Sequence, residues 1–185
     1  LYDDLPSLWN EGTALKMHGE DRGMTSRSRL SNGTLAAIHA ERPAYDRAGL
    51  TSGIVHLGVG AFHRAHQAVY VDDCLGAGET GWGIVGASLR SPDTRDALAP
   101  QDGLYTLAVQ DASGERLRVI GSIHTLLVAP EDPAALVARL ADPQIRIVTL
   151  TVTEKAYLRD LSDDLDFAHP DLVWDLAHPE SPRTV

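Results

Sequence analysis

The sequence contains a single cysteine, Cys74, so it holds no intramolecular disulfide and no cysteine-rich metal centre. Basic residues are also scarce. Sixteen Lys and Arg face 26 Asp and Glu, for a net charge of −10, and no Lys/Arg-rich run occurs. That balance speaks against nucleic acid and against anionic membrane surfaces as partners. No apolar run approaches the roughly 18 residues a membrane span requires. The first 23 residues lack the basic-then-apolar order of a signal peptide. These absences point to a reducing, cytoplasmic setting. Internal repeats and low-complexity segments are missing as well.

What is present is an ordinary globular composition, 43% hydrophobic over 185 residues, enough for one domain with a sizeable core. Residues 1–23 show no period and are expected to be a non-native or disordered extension, the alternative being a native arm that packs elsewhere. Residues 24–185 are expected to be the folded domain, with a proline-punctuated tail, "HPDLVWDLAHPESPRTV".

The patterning predicts alternating elements. "SNGTLAAIHAE" offers a short helix capped by Ser31 or Asn32. Ile54–Leu57 reads as a strand. Ala61, Ala65, Ala68, Val71 and Leu75 then follow at helical spacing, with Gly76 and Gly78 as the stop. "GWGIVGASL" is a second strand, "SPDTRDAL" a helical turn, and "LYTLAVQ" with "ERLRVIGSI" a hairpin closed by "DASG". "EDPAALVARLAD" is a helix with Asp132 as cap and Pro133 in its first turn. Ile145–Thr153 reads as another buried strand. The fold class that follows is α/β, Rossmann-like, a mainly parallel sheet with an inserted β-hairpin. Cys74 is expected to be buried, and the Asp72–Asp73 pair to be a solvated face or a helix-end feature.

The stretch "IVHLGVGAFHRAHQAVYVDD" carries the functional signal. Gly58 and Gly60 stand directly after a strand and before a helix. A first glycine there permits a tight turn, a second lets main chain approach a pyrophosphate, and the new helix points its N–H groups at the negative charge. His63 occupies the place of a third glycine, whose usual service is helix–strand packing. Arg64 could add a cation. A bare tight βα turn fits the same letters, as does a site for S-adenosylmethionine or a flavin nucleotide. At the end of the second strand the acid that would hold a ribose 2′-OH is missing. Arg90 stands there, suited to a 2′-phosphate or to solvent. His63 and His66 share a helix face, but no third ligand is spaced to join them, so no metal is expected.

"GVGAFHRAHQAVYVDD", "GASLRSPDTRDALAPQDGLYTL", "IVTLTVTEKAY" and "HPDLVWDLAHPESPRT" occur in that order, and together resemble the mannitol dehydrogenase family of polyol-specific long-chain dehydrogenases and reductases. The resemblance spans about Leu30 to Val185. It implies a Rossmann domain binding NAD, or NADP in some members, within an oxidoreductase. The reaction implied interconverts a polyol or sugar acid and its ketose or keto form: mannitol and fructose, mannonate and fructuronate, or mannitol 1-phosphate and fructose 6-phosphate. It also implies cofactor contacts at Gly58, Gly60, Phe62, His63, Arg90 and Thr153. Lys155 after Glu154 leans toward the uronate reductases of the family.

The family's proton donor is a lysine in a helical C-terminal domain, within K-x-x-x-x-N-x-x-H, and that pattern has no match here. The expectation is therefore a cofactor-binding half without the C-terminal helical domain, inactive alone. Glu154 is then the one candidate catalytic residue, orienting water or shuttling a proton, and Lys155 reads as a surface or ion-paired side chain. The competing reading is a non-catalytic nucleotide-binding or interaction module. An uncovered domain face is expected to favour self-association.

Overall fold

The computed structural model describes residues 28–112, 114–152 and 154–184, and the expected extension over residues 1–23 lies outside them. The elements run β1 (Ser52–Leu57), α1 (Ala61–Ala65), α2 (Gln67–Gly76), β2 (Gly83–Ser88), α3 (Asp93–Leu98), β3 (Tyr105–Asp111), β4 (Gly114–Ile120), β5 (Ile123–Val128), α4 (Pro133–Leu140), β6 (Ile147–Leu150) and α5 (Pro170–Ala177). Four strands form one all-parallel sheet in the order β5-β2-β1-β6. β3 and β4 pair antiparallel and stand apart from it. This is the expected α/β, Rossmann-like architecture with its inserted hairpin.

Alternation along β1 builds a layer on each face of the sheet. Ile54 packs with Ala68, Ile84, Leu98, Tyr105, Ile120 and Ile123, beneath α2, α3 and the base of the hairpin. Val55 packs with Val85, Ala87 and Leu136, beneath α4. Burying each such Val, Leu or Ile side chain contributes about 1.5–3 kcal/mol. α4 starts as its sequence predicts: the Asp132 carboxylate accepts from the Ala135 N–H, and Pro133 occupies the first turn.

Several expectations are corrected. The "ERLRVIGSI" strand ends at Ile120, and after Gly121–Ser122 the chain enters a separate strand, β5, parallel to β2. The division is made by long-range bonds: the Gly121 N–H donates to Asp72 and the Ser122 hydroxyl to the Ala68 carbonyl. The strand expected to be buried over Ile145–Thr153 is the short edge strand β6. Ile147, Val148 and Leu150 are 41%, 48% and 51% exposed, because β6 has β1 on one side only and no helix covers these side chains among the described residues.

The helical face expected from Ala61 to Leu75 is broken at His66, whose backbone (φ −126°, ψ −86°) leaves the helical region. Ala61 and Ala65 are exposed, and His63 is the residue of α1 that turns inward. The helix expected in "SNGTLAAIHAE" is one 3₁₀ turn, Leu35–Ala37, with Thr34 at its N-cap position. Asn32 is committed elsewhere, accepting from Arg47 and taking the Asp102 carboxylate on its own N–H. Cys74 is exposed, not buried.

Asp72 departs furthest from expectation. It is 3% exposed and accepts from the Tyr45 hydroxyl at 2.5 Å, the Arg118 guanidinium at 2.8 Å and the Gly121 N–H at 2.9 Å. A buried carboxylate is tolerated only when paired and hydrogen-bonded in this way. Asp73, its neighbour, is exposed and pairs with the same arginine at 2.5 Å. The two bonds to Asp72 from Arg118 and Gly121 tie the end of β4 to α2. Burial and the bond to Asp72 push the Tyr45 hydroxyl well above the ordinary tyrosine range.

Candidate functional site: the glycine turn at the carboxyl end of β1

From β1 the chain crosses to β2 and then to β5 on one side, and returns to β6 on the other. The strand order therefore reverses next to β1, and the crevice outside its carboxyl end is a topological switch point, where open α/β sheets bind ligands. Gly58 to Gly60 lies there. The Gly58 N–H donates to the Ala87 carbonyl at the end of β2, and the Thr151 N–H, just past β6, donates to the Leu57 carbonyl. The turn is thus held from both neighbouring strands.

The two glycines have different reasons. Gly58 has φ +90°, a conformation that a side chain strains. Gly60 has an ordinary φ of −85°, and a Cβ added there would meet nothing nearer than the Gly58 carbonyl oxygen at 3.9 Å. The fold does not demand glycine at position 60. Open space over main chain at a switch point is what a closely approaching ligand requires. A third glycine, Gly86 on β2, lets the turn sit down on the sheet under Val59, which is 3% exposed.

α1 follows, a helix of five residues. Its early N–H groups have no acceptor within so short a helix. Phe62 is 66% exposed and stacks on His66, ring centroids 4.2 Å apart. The Arg64 guanidinium donates to the Val59 carbonyl at 2.8 Å, and the Tyr105 hydroxyl donates to the Arg64 carbonyl at 2.6 Å. The base of the hairpin therefore also holds α1. His63 is 1% exposed, and its ring lies on that of His56 at 3.6 Å between centroids and 10° between planes. Burial, with His56 and Arg64 nearby, pushes the His63 imidazole down to about 3. Burial lowers His56 too. Both rings are neutral at pH 7.

The residues expected at the site are distributed as follows. Gly58, Gly60 and Phe62 come together at the turn. His63 brings its main chain there, while its side chain faces the sheet. Arg90 is exposed in the bend after β2. Glu154 opens the 3₁₀ turn Glu154–Tyr157, a few residues beyond the carboxyl end of β6, and Thr153 lies outside the described residues. Sequence reasoning missed His56 and Gly86. His56 was legible as a polar residue inside an apolar strand, and Gly86 as a glycine in the middle of one. Among the described residues no group of three or more His, Cys, Asp or Glu is placed to hold a metal, and no helix is long and apolar enough to cross a membrane.

A parallel sheet in this order, with a glycine turn at its switch point, defines the class as a Rossmann-type nucleotide-binding domain. The chain belongs to the mannitol dehydrogenase family, whose Rossmann-domain model matches residues 52–184. A mannitol 2-dehydrogenase of Cereibacter sphaeroides is 52% identical over 146 residues, 77% of this chain and 31% of that protein. One from Phaeosphaeria nodorum is 46% identical over 147 residues, covering 77% and 26%. Among solved structures, the Pseudomonas fluorescens mannitol 2-dehydrogenase ternary complex with NAD and D-mannitol superposes with a TM-score of 0.72 at 45% identity, covering 84% of this chain and 33% of that one. A D-sorbitol dehydrogenase in substrate-free form gives 0.69 at 38%, covering 84% and 34%. The chain spans about a quarter to a third of the length of these relatives.

Proposed function

We propose that this chain is the NAD-binding part of a polyol oxidoreductase that interconverts mannitol and fructose. The observation that carries the reading is the open glycine turn at the switch point, in a family whose relatives at 46–52% identity are mannitol 2-dehydrogenases. The turn fits the group: the space beside Gly60 admits a pyrophosphate against main chain, and the first N–H groups of α1 offer donors. Gly58, Gly60 and the main chain of His63 would hold the diphosphate, with Phe62 beside it. Arg90 and Thr153 complete the proposed contacts, Arg90 at the ribose end and Thr153 toward the nicotinamide. The chemistry that such a cofactor supplies is reversible hydride transfer at a CH–OH carbon.

Glu154, following β6, is assigned water orientation or proton relay beside the substrate. The named relatives favour mannitol over the uronates toward which the Glu154–Lys155 pair leans. NAD is favoured over NADP by the NAD-bound relative, while Arg90, suited to a 2′-phosphate, pulls the other way. Self-association through the uncovered face of β6 and a cytoplasmic setting belong to the same proposal.

Calorimetric titration with NADH and NADPH tests it, repeated on Gly60→Val. NADH is expected to bind the wild-type chain, and the valine to lower that affinity at least tenfold. A wild-type chain that binds neither nucleotide, or a valine variant that binds as well as wild type, overturns the reading.

A further inference from the structure

α1 is too short to hold itself. A five-residue helix is far below the length at which helices are stable in water, and the break at His66 uncouples it from α2. Its angle to the sheet is therefore set by side chains. Two of the anchors are polar and reach its main chain or that of the turn, from Arg64 and Tyr105. The third is of another kind. His63 is packed with both ring nitrogens buried and without a hydrogen-bond partner. Leaving a buried donor unmade costs about 1–3 kcal/mol, so a polar ring here needs a reason.

The seat beneath it is shaped for a flat ring. His56, on β1, is itself fixed at three points: Nδ1 lies 2.8 Å from Thr149 Oγ1, and Nε2 lies 3.0 Å from Thr151 Oγ1 and 3.2 Å from the Gly58 carbonyl oxygen. Thr149 Oγ1 lies 3.0 Å from Gln67 Oε1 at the start of α2. The ring of His56 thus joins β1, β6 and the glycine turn. His63 rests on it nearly parallel, as a flat spacer between the sheet and α1.

We propose that His63 is a positioning residue: its planar ring, seated on His56, sets the height and angle of the Gly58–Gly60 turn and α1 over the sheet, and thereby the main-chain geometry that receives the diphosphate. This rests on the cofactor reading above. It predicts that shape is the property that matters, so that another flat ring serves and a non-planar side chain does not. It also predicts that the loss falls on the diphosphate and not on the nucleoside.

The test compares His63→Phe, His63→Leu and His63→Ala with the wild-type 185-residue chain. Affinities for adenosine, ADP and NADH are measured by calorimetry, and amide hydrogen exchange over residues 58–65 is measured without ligand. For the alanine and leucine variants, ADP and NADH are expected to bind at least tenfold more weakly, adenosine within threefold of wild type, and exchange over residues 58–65 to accelerate. The phenylalanine variant is expected to stay within threefold for all three ligands. Should the alanine variant not fold, the leucine variant carries the comparison, since it keeps apolar volume and differs from the phenylalanine variant in lacking the flat face. The proposal is overturned if folded leucine and alanine variants bind ADP as wild type does, if adenosine and ADP weaken in parallel, or if phenylalanine fails as fully as alanine. If the wild-type chain binds neither ADP nor NADH, the cofactor reading falls first and this role with it.

Discussion

Val59 lies in the space that Gly86 leaves empty: a Cβ at position 86 would stand 2.5 Å from Val59 Cγ2. The glycine turn and the second strand are thus fitted to each other at one buried contact. Gly86→Ala is expected to lower stability by about 1–3 kcal/mol through overpacking. Because it lifts the turn, it is also expected to weaken NADH binding. Chemical denaturation followed by nucleotide titration measures both. An alanine variant as stable as wild type would mean that the contact relaxes at no cost.

Gly58 and Gly60 should separate cleanly. Gly58→Ala forces a side chain to φ +90° and is expected to cost about 1–2 kcal/mol in folding. Gly60→Ala meets open space and should leave the urea midpoint within experimental error, while weakening NADH. Equal stability losses at the two positions would contradict the assignment of Gly60 to the ligand.

Asp72 anchors the hairpin. Asp72→Ala removes the acceptor of the Tyr45 hydroxyl and of the buried Gly121 N–H, while Arg118 keeps its pair with Asp73. Leaving a buried polar group without its partner costs about 1–3 kcal/mol. A stability loss below about 1 kcal/mol in urea denaturation would show the carboxylate to be dispensable.

The histidine stack gives the protein an acid liability. His63 is lowered to about 3 and His56 is lowered as well, whereas unfolded histidine titrates near 6.5. Above that pH both states are neutral and the stack contributes nothing to the pH dependence. As pH falls from about 6.5 toward 3, the unfolded chain takes up a proton that the folded His63 ring refuses, and the lowered His56 acts in the same direction. Stability then drops, by up to about 1.4 kcal/mol per pH unit from His63. Urea unfolding at pH 7, 5.5 and 4.5 is expected to show that slope, reduced by His63→Phe. An unchanged slope in that variant would place the acid sensitivity elsewhere.

Among the described residues β6 has an unpaired edge, and the side chains of Ile147, Val148 and Leu150 are exposed. Unpaired, apolar edge strands associate. The isolated chain is expected to be oligomeric or poorly soluble, and Val148→Lys to shift it toward monomer in sedimentation velocity. A wild-type chain that sediments as a monodisperse monomer removes the expectation.

Local chemistry was legible where neighbours in sequence settle the matter. The Asp132 cap, the glycine turn between strand and helix, and the alternation along β3 and β4 all follow from spacing alone. Asp72 could have been read correctly, since it stands four residues after Ala68 and three before Leu75, both buried on the same helical stripe. β5 escaped because "ERLRVIGSIHTLLV" offers no turn signal beyond Gly121. What divides it there is the bond from Gly121 to Asp72, 49 residues away.

Sequence by itself determined the architecture, the glycine turn and the family, because periodicity and turn chemistry are local and the motif segments lie in order along the chain. Only the tertiary structure decided which groups are buried. It exposed the apolar β6 by leaving it at the sheet edge, buried Asp72 by surrounding it with donors, and set His63 on His56 beneath the turn. Burial depends on what packs above and below a residue, and those neighbours come from distant parts of the chain.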